Sequence, residues 1–155
     1  MNREIQDPAA KARGYAFLLL EFRSRSEKEI VERLKKKKFS PQVIRETVLF
    51  LKAKDFIDDH YFARAWVDSR RLRNFGPRRI RQELKLKGVA SDIIEQQLDA
   101  GLDNYSEKNI VEKLIQNKLR RAKGLEPQKA KRRVYAYLLR RGFSADVVLE
   151  ALNQL

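Results

Sequence analysis

Asp55, Asp58, Asp59 and His60 stand close together in a chain with one histidine and no cysteine. Carboxylates beside an imidazole could hold a divalent cation or trade a proton. A metal-dependent nuclease, however, needs carboxylates converging from separate elements, and these lie in one turn ahead of a helix. Asp58 suits an N-cap there and Asp59 suits the first helical turn, so capping is their expected role. Adjacent side chains point apart on a helix, so Asp59 and His60 make no dyad. The absence of cysteine excludes a thiol nucleophile, a disulfide scaffold and a Cys-ligated zinc. A single histidine excludes a multi-His metal site. No Gly-rich phosphate loop and no nucleophile–base pair is present. The expectation is a protein without catalytic residues, metal or other cofactor.

The basic side chains are the stronger signal. Lys and Arg number 35 against 21 Asp and Glu, a net charge of +14 over 155 residues. The densest stretch holds Arg70, Arg71, Arg73, Arg78, Arg79, Arg81, Lys85 and Lys87, with Glu83 the only acid between Arg70 and Lys87. It spans a turn, Asn74–Phe75–Gly76–Pro77, after which a helix would present free N–H groups and its positive dipole end. Arginine dominates, and its planar fork matches phosphate and carboxylate. A second group, Arg120, Arg121, Lys123, Lys129, Lys131, Arg132 and Arg133, with Arg140 and Arg141 beyond, flanks Gly124–Pro127, read as the counterpart of Gly76–Pro77. Lys35 to Lys38 form a third run, suited either to a helix C-terminus or to a partner. Phe75, set between basic residues, is the aromatic kept as a candidate contact; Tyr61, Phe62, Trp66, Tyr135, Tyr137 and Phe143 sit at spacings that favour core packing. The candidate interface is therefore Arg70, Arg71, Arg73, Phe75, Arg78, Arg79, Arg81, Lys85, Lys87, Arg120, Arg121, Lys129, Arg132 and Arg133.

These residues must be positioned by helices. Apolar residues recur at helical spacing almost throughout, and no strand-length alternation occurs, so the fold class is all-α. Pro41, Pro77 and Pro127 stand where helices begin. Gly88 and Gly142 suit left-handed C-terminal caps, and Ser26 with Glu29 makes a capping box. The punctuation repeats. Ile30, Leu34, Phe39, Val43, Ile44 and Val48 match Ile80, Leu84, Val89, Ile93, Ile94 and Leu98 at an offset of 50 (80 minus 30). These match Val134, Leu138, Phe143, Val147, Val148 and Leu152 at an offset of 54 (134 minus 80). Gly88 and Gly142 fall in register, with Lys38 in that slot of the first copy.

Three tandem three-helix repeats follow, at 1–56, 57–101 and 102–155, forming an elongated, curved array. Their helices are expected near 8–23, 26–38 and 41–54; 59–73, 77–87 and 91–100; and 106–123, 127–141 and 145–154. The repeats carry net charges of +6, +2 and +6, so the middle one segregates its cations from Asp58, Asp59, Asp92 and Asp99. One continuous basic edge is expected. The longest apolar run, Tyr15 to Leu20, is too short for a membrane span or a signal-peptide core, so a cytoplasmic protein with a polyanionic partner and no membrane is expected.

The stretch Phe56–Ile–Asp–Asp–His–Tyr–Phe–Ala–Arg–Ala–Trp66 and the stretch Asn74–Phe–Gly–Pro–Arg–Arg–Ile–Arg–Gln–Glu–Leu–Lys–Leu–Lys–Gly–Val89 resemble the central signature of the RecX family, bacterial regulators of the RecA recombinase. Ser26–Glu–Lys–Glu–Ile–Val–Glu–Arg–Leu34 resembles that family's first-repeat motif, and Arg140–Arg–Gly–Phe143 its third. The resemblance implies tandem three-helix repeats without enzymatic activity. It implies binding to RecA in the groove of its filament on DNA. It also implies modulation, most often inhibition, of ATP hydrolysis, strand exchange and co-protease action in DNA repair and the SOS response. It supplies no catalytic or contact residue. The expected partners are the RecA filament and, weakly and non-specifically, single- and double-stranded DNA; the expected state is a monomer. An autonomous non-specific DNA-binding helical protein is the alternative, because each unit could imitate a helix-turn-helix.

Overall fold

The computed structural model describes residues 7–102 and 105–155. Residues 1–6 and 103–104, which fall in the expected first and third repeats, lie outside the described residues. Among the described residues there are nine helices and no strand: α1 Pro8–Phe22, α2 Glu27–Lys36, α3 Pro41–Ala53, α4 Asp59–Leu72, α5 Pro77–Leu86, α6 Ser91–Asp99, α7 Glu107–Arg121, α8 Pro127–Arg140 and α9 Ala145–Asn153.

Local chemistry sets the ends. Pro8, Pro41, Pro77 and Pro127 each open a helix, where their missing N–H costs no hydrogen bond. The Ser26 hydroxyl and the Glu29 carboxylate close a reciprocal capping box on α2. Asp58 caps α4 through the amides of His60 and Tyr61. The middle helices end alike: Lys38, Gly88 and Gly142 are left-handed, at φ 63°, 76° and 93°. The residue after each then returns a 6→1 bond, Phe39 to Leu34, Val89 to Leu84 and Phe143 to Leu138.

Packing is sealed within repeats. α1 and α2 pack on α3, α4 and α5 on α6, and α7 and α8 on α9. Three separate apolar clusters result. The first is built around Ile30, Leu34 and Leu51, the second around Ile80, Leu84 and Ile94, and the third around Val134, Leu138 and Phe143. All eighteen residues of the six-position repeat lie in these clusters or against them. The accessible surface is 10733 Å². A compact monomer of 18.3 kDa would expose about 8,100 Å². The excess belongs to an elongated array of small cores.

Candidate polyanion interface

The repeats join through the ends of their middle helices. At the first joint the N-terminus of α2 meets the C-terminus of α5. The buried Ser26 hydroxyl donates to the Lys87 carbonyl at 2.7 Å, and the Lys28 ammonium reaches the Leu86 carbonyl at 3.4 Å. The Lys87 ammonium returns to Glu29 at 2.8 Å, and the Glu27 amide donates to Asp59 at 2.9 Å. Burial pushes the Glu29 carboxyl up, but bonds from Arg23, Lys87 and the Ser26 amide outweigh burial and hold its pKa at about 2.

The second joint repeats the first in register. The N-terminus of α5 meets the C-terminus of α8: the Gly76 amide donates to the Arg141 carbonyl at 2.8 Å and the Arg78 amide to the Gly142 carbonyl at 3.0 Å. Arg141 also donates through its guanidinium to the carbonyls of Asn74 and Arg73. The three middle helices thus meet tip to tip in order, the C-terminus of α8 at the N-terminus of α5 and the C-terminus of α5 at the N-terminus of α2. This explains two glycines that a cap alone does not. A Cβ at Gly88 would strike the Lys28 side chain, and one at Gly142 would lie 2.5 Å from the Arg79 amide nitrogen. Lys38 tolerates its side chain because it stands on the end of α2 that, among the described residues, no other repeat abuts.

This joint divides the central basic stretch. Arg70 and Arg79 both bind Glu83, at 2.9 and 3.2 Å, and the Trp66 indole N–H donates to the same carboxylate at 3.0 Å. Arg71 donates to the Leu98 and Ala100 carbonyls, closing α6, and lies 4.3 Å from the Tyr105 ring centroid. Arg81 pairs with Glu95 at 2.6 Å and holds its carboxyl below the usual range. Lys87 pairs with Glu29. Phe75 is half-buried, with the guanidiniums of Arg141, Arg79 and Arg70 at 3.8, 4.2 and 5.3 Å from its ring centroid. It packs the joint between the second and third repeats rather than standing out as a stacking platform. Arg73, Arg78 and Lys85 are exposed and pair with no carboxylate among the described residues. Of the aromatics assigned to cores, Tyr61 is 68% exposed instead.

The third repeat is different. Arg120, Arg121, Lys129, Arg132 and Arg133 are all exposed, and none joins an ion pair among the described residues. Lys118, Arg121, Arg133 and Arg140 line a groove of about 350 Å³ between α7 and α8, floored by Leu125, Val134 and Tyr137. Among the described residues no carboxylate lines it. Lys118 sits 4.0 Å from the Tyr137 ring centroid. Lys118 lies outside the runs of adjacent cations, although its i, i+3 spacing from Arg121 places both on one helix face. The Gly124–Pro127 turn is not the structural counterpart of Gly76–Pro77. The residue in register with Gly76 is Ala130, because α8 begins one turn earlier than α5. Gly76 is closed in by the backbone of Gly142 and Phe143, whereas a Cβ at Gly124 would meet nothing within 4 Å.

The acidic turn resolves into caps. Asp58 closes α4 and Asp59 accepts the Glu27 amide across the first joint. Among the described residues no group of three or more His, Cys, Asp or Glu could hold a metal ion, and no helix is long and apolar enough to cross a membrane.

Family models for the three three-helix domains of RecX match this chain in order, the first over residues 12–51, the second over 58–98 and the third over 107–152. The chain belongs to the RecX family. A regulatory protein RecX of Streptomyces coelicolor is 31% identical over 96% of this chain and 79% of its own length. One of Haemophilus influenzae is 33% identical over 91% and 92%. The RecX of Bacillus subtilis is 34% identical over 98% of this chain, which spans only 58% of that longer protein. Two crystal structures share the fold. One is of a regulatory protein RecX, with a TM-score of 0.78 at 25% identity, covering 96% of this chain and 73% of its own. The other is RecX from Lactobacillus salivarius, with a TM-score of 0.81 at 23% identity, covering 97% and 98%. RecX is a family of regulatory proteins rather than of enzymes.

Proposed function

We propose that this RecX protein acts in the cytoplasm as a monomer and binds the RecA filament on DNA. There it lowers ATP hydrolysis, strand exchange and co-protease action, with repeats 1–56, 57–101 and 102–155 as its units. The single observation that carries the polyanion part is the α7–α8 groove, where four cations line one depression with no carboxylate among them. Arg78 and Lys85 on α5 and Arg120, Lys129 and Arg132 in the third repeat extend the unpaired charge beyond it. Family membership and the signature at residues 56–89 supply the RecA part. No bond is made or broken; a ligand that binds one filament state better by about 1.4 kcal/mol shifts the population tenfold.

The test is the ATPase rate of a RecA–single-stranded DNA filament titrated with the protein and with the Arg121→Glu/Arg133→Glu/Arg140→Glu variant. Inhibition below one protein per RecA, weakened in the variant, is expected. No effect of the unaltered protein on the filament rejects the RecA reading. Tight binding to bare duplex, with a logarithmic salt slope near −0.9 per phosphate contact, would favour the autonomous DNA-binding alternative.

A further inference from the structure

Between α2 and α3 the first repeat holds an apolar groove of about 540 Å³, floored by Val31, Phe39, Ile44 and Val48 and walled by Leu49. Leu49 is 67% exposed. The internal repeat shows that this opening is not a requirement of the scaffold. Residues 31, 45 and 49 correspond to 81, 95 and 99 in the second repeat and to 135, 149 and 153 in the third. In the second repeat those positions are Arg81, Glu95 and Asp99, and the Arg81–Glu95 pair crosses the groove at 2.6 Å. In the third, the larger Tyr135 takes the place against the core cluster that Val31 holds in the first. The first repeat alone puts a small valine there.

The unpaired charges at the rim of that groove have one sign. Lys35 and Arg45 line it and pair with no carboxylate among the described residues. Glu27, the only carboxylate at the groove among the described residues, is held by Lys52 at 3.0 Å. A nucleic-acid backbone would satisfy the rim and leave the apolar floor uncovered. A second copy of a chain with net charge +14 would be repelled. We propose that the first-repeat groove docks an acidic amphipathic helix of a partner protein. That helix would set aliphatic side chains one turn apart against Val31, Ile44 and Leu49, and turn carboxylates toward Lys35 and Arg45. This site is separate from the α7–α8 groove and does not rest on the filament reading.

The test uses fluorescence anisotropy with the full chain and a labelled helical peptide of about 16 residues, carrying Leu at i, i+3, i+4 and i+7 and Glu elsewhere. A peptide with Lys replacing every Glu is the control. The acidic peptide should bind saturably at roughly micromolar concentrations, and the Lys peptide at least about tenfold more weakly. The Val31→Arg/Arg45→Glu variant carries the second repeat's own ion pair, so its helical circular dichroism should be retained while peptide affinity falls at least about tenfold. Leu49→Asp, which copies Asp99, should act likewise from an exposed position and serves if the double variant misfolds. The proposal is overturned by any of four results: no saturable binding of the acidic peptide, equal binding of the Lys peptide, unchanged affinity in a folded variant, or sedimentation showing a dimer of the chain that these substitutions dissociate.

Discussion

The amide of Arg78 donates to the carbonyl of Gly142 at 3.0 Å, across 64 positions of sequence (142 minus 78). That bond exists because residue 142 has no side chain. Gly142 and Gly124 both lie at positive φ, 93° and 97°, so alanine at either carries a left-handed penalty of about 1–2 kcal/mol. Only at 142 does the added methyl strike the Arg79 backbone. Gly142→Ala should therefore lower the urea midpoint clearly more than Gly124→Ala, measured by circular dichroism. Equal losses would show that the close approach at the joint carries no energy.

Acid should weaken the first joint. The Glu29 pKa is held at about 2 against an ordinary 4.5. A carboxyl depressed on folding contributes stability above its unfolded pKa and loses it as pH falls through the folded one, here between about pH 5 and pH 2. A shift of that size corresponds to about 3 kcal/mol. Chemical denaturation at pH 6 and pH 3 should show a larger drop for the unaltered protein than for Glu29→Gln, with the two converging at the acid end.

Asp59 behaves oppositely. Burial raises its pKa, and the nearby Glu27 and Asp58 charges push the same way, against the Glu27 amide and Lys52. A carboxyl raised on folding opposes folding once ionised and ceases to do so as it takes up a proton. Asp59→Asn keeps the acceptor oxygen for the Glu27 amide without the charge, so its thermal midpoint at pH 7 should equal or exceed that of the unaltered protein. A drop of several degrees would contradict this sign.

Arginines of the central stretch should separate by role. Arg71→Ala removes the charged donor that closes α6, a loss of about 1.5–3 kcal/mol, and should lower the thermal midpoint. Arg78→Ala/Lys85→Ala removes two exposed, unpaired cations. It should leave the stability within about 0.5 kcal/mol while reducing the salt dependence of binding to single-stranded DNA, with a slope smaller by up to about 0.7 per cation. Anisotropy titrations at several salt concentrations measure it.

The repeat was legible because it rests on local rules. The spacing of Ile30, Leu34 and their equivalents, the prolines at helix starts and the glycines at helix ends each act within one or two turns. The pairing of the arginines was not legible. Lys87 finds Glu29 and Arg79 finds the Arg140 carbonyl across 58 and 61 positions, and composition carries no information about such partners. Glu83 looked like a lone acid in a basic stretch; folding makes it the anchor of Arg70, Arg79 and Trp66. Phe75 looked available because turns are usually exposed, but this turn is where the next repeat abuts. Gly124–Pro127 resembled Gly76–Pro77 in composition, while the register of the apolar residues already placed Ala130 opposite Gly76.

Each core closes within its own repeat, and the repeats meet through polar bonds at helix tips and, at the second joint, through the Phe75 ring under three guanidiniums. A load that bends the molecule is therefore taken up by two joints, Ser26 against Lys87 and Gly76 against Arg141, before any apolar interior is opened. Bending works against those joint bonds rather than against the three interiors. On the filament reading proposed above, a change in the angle between units would be met at these joints with all three units still folded.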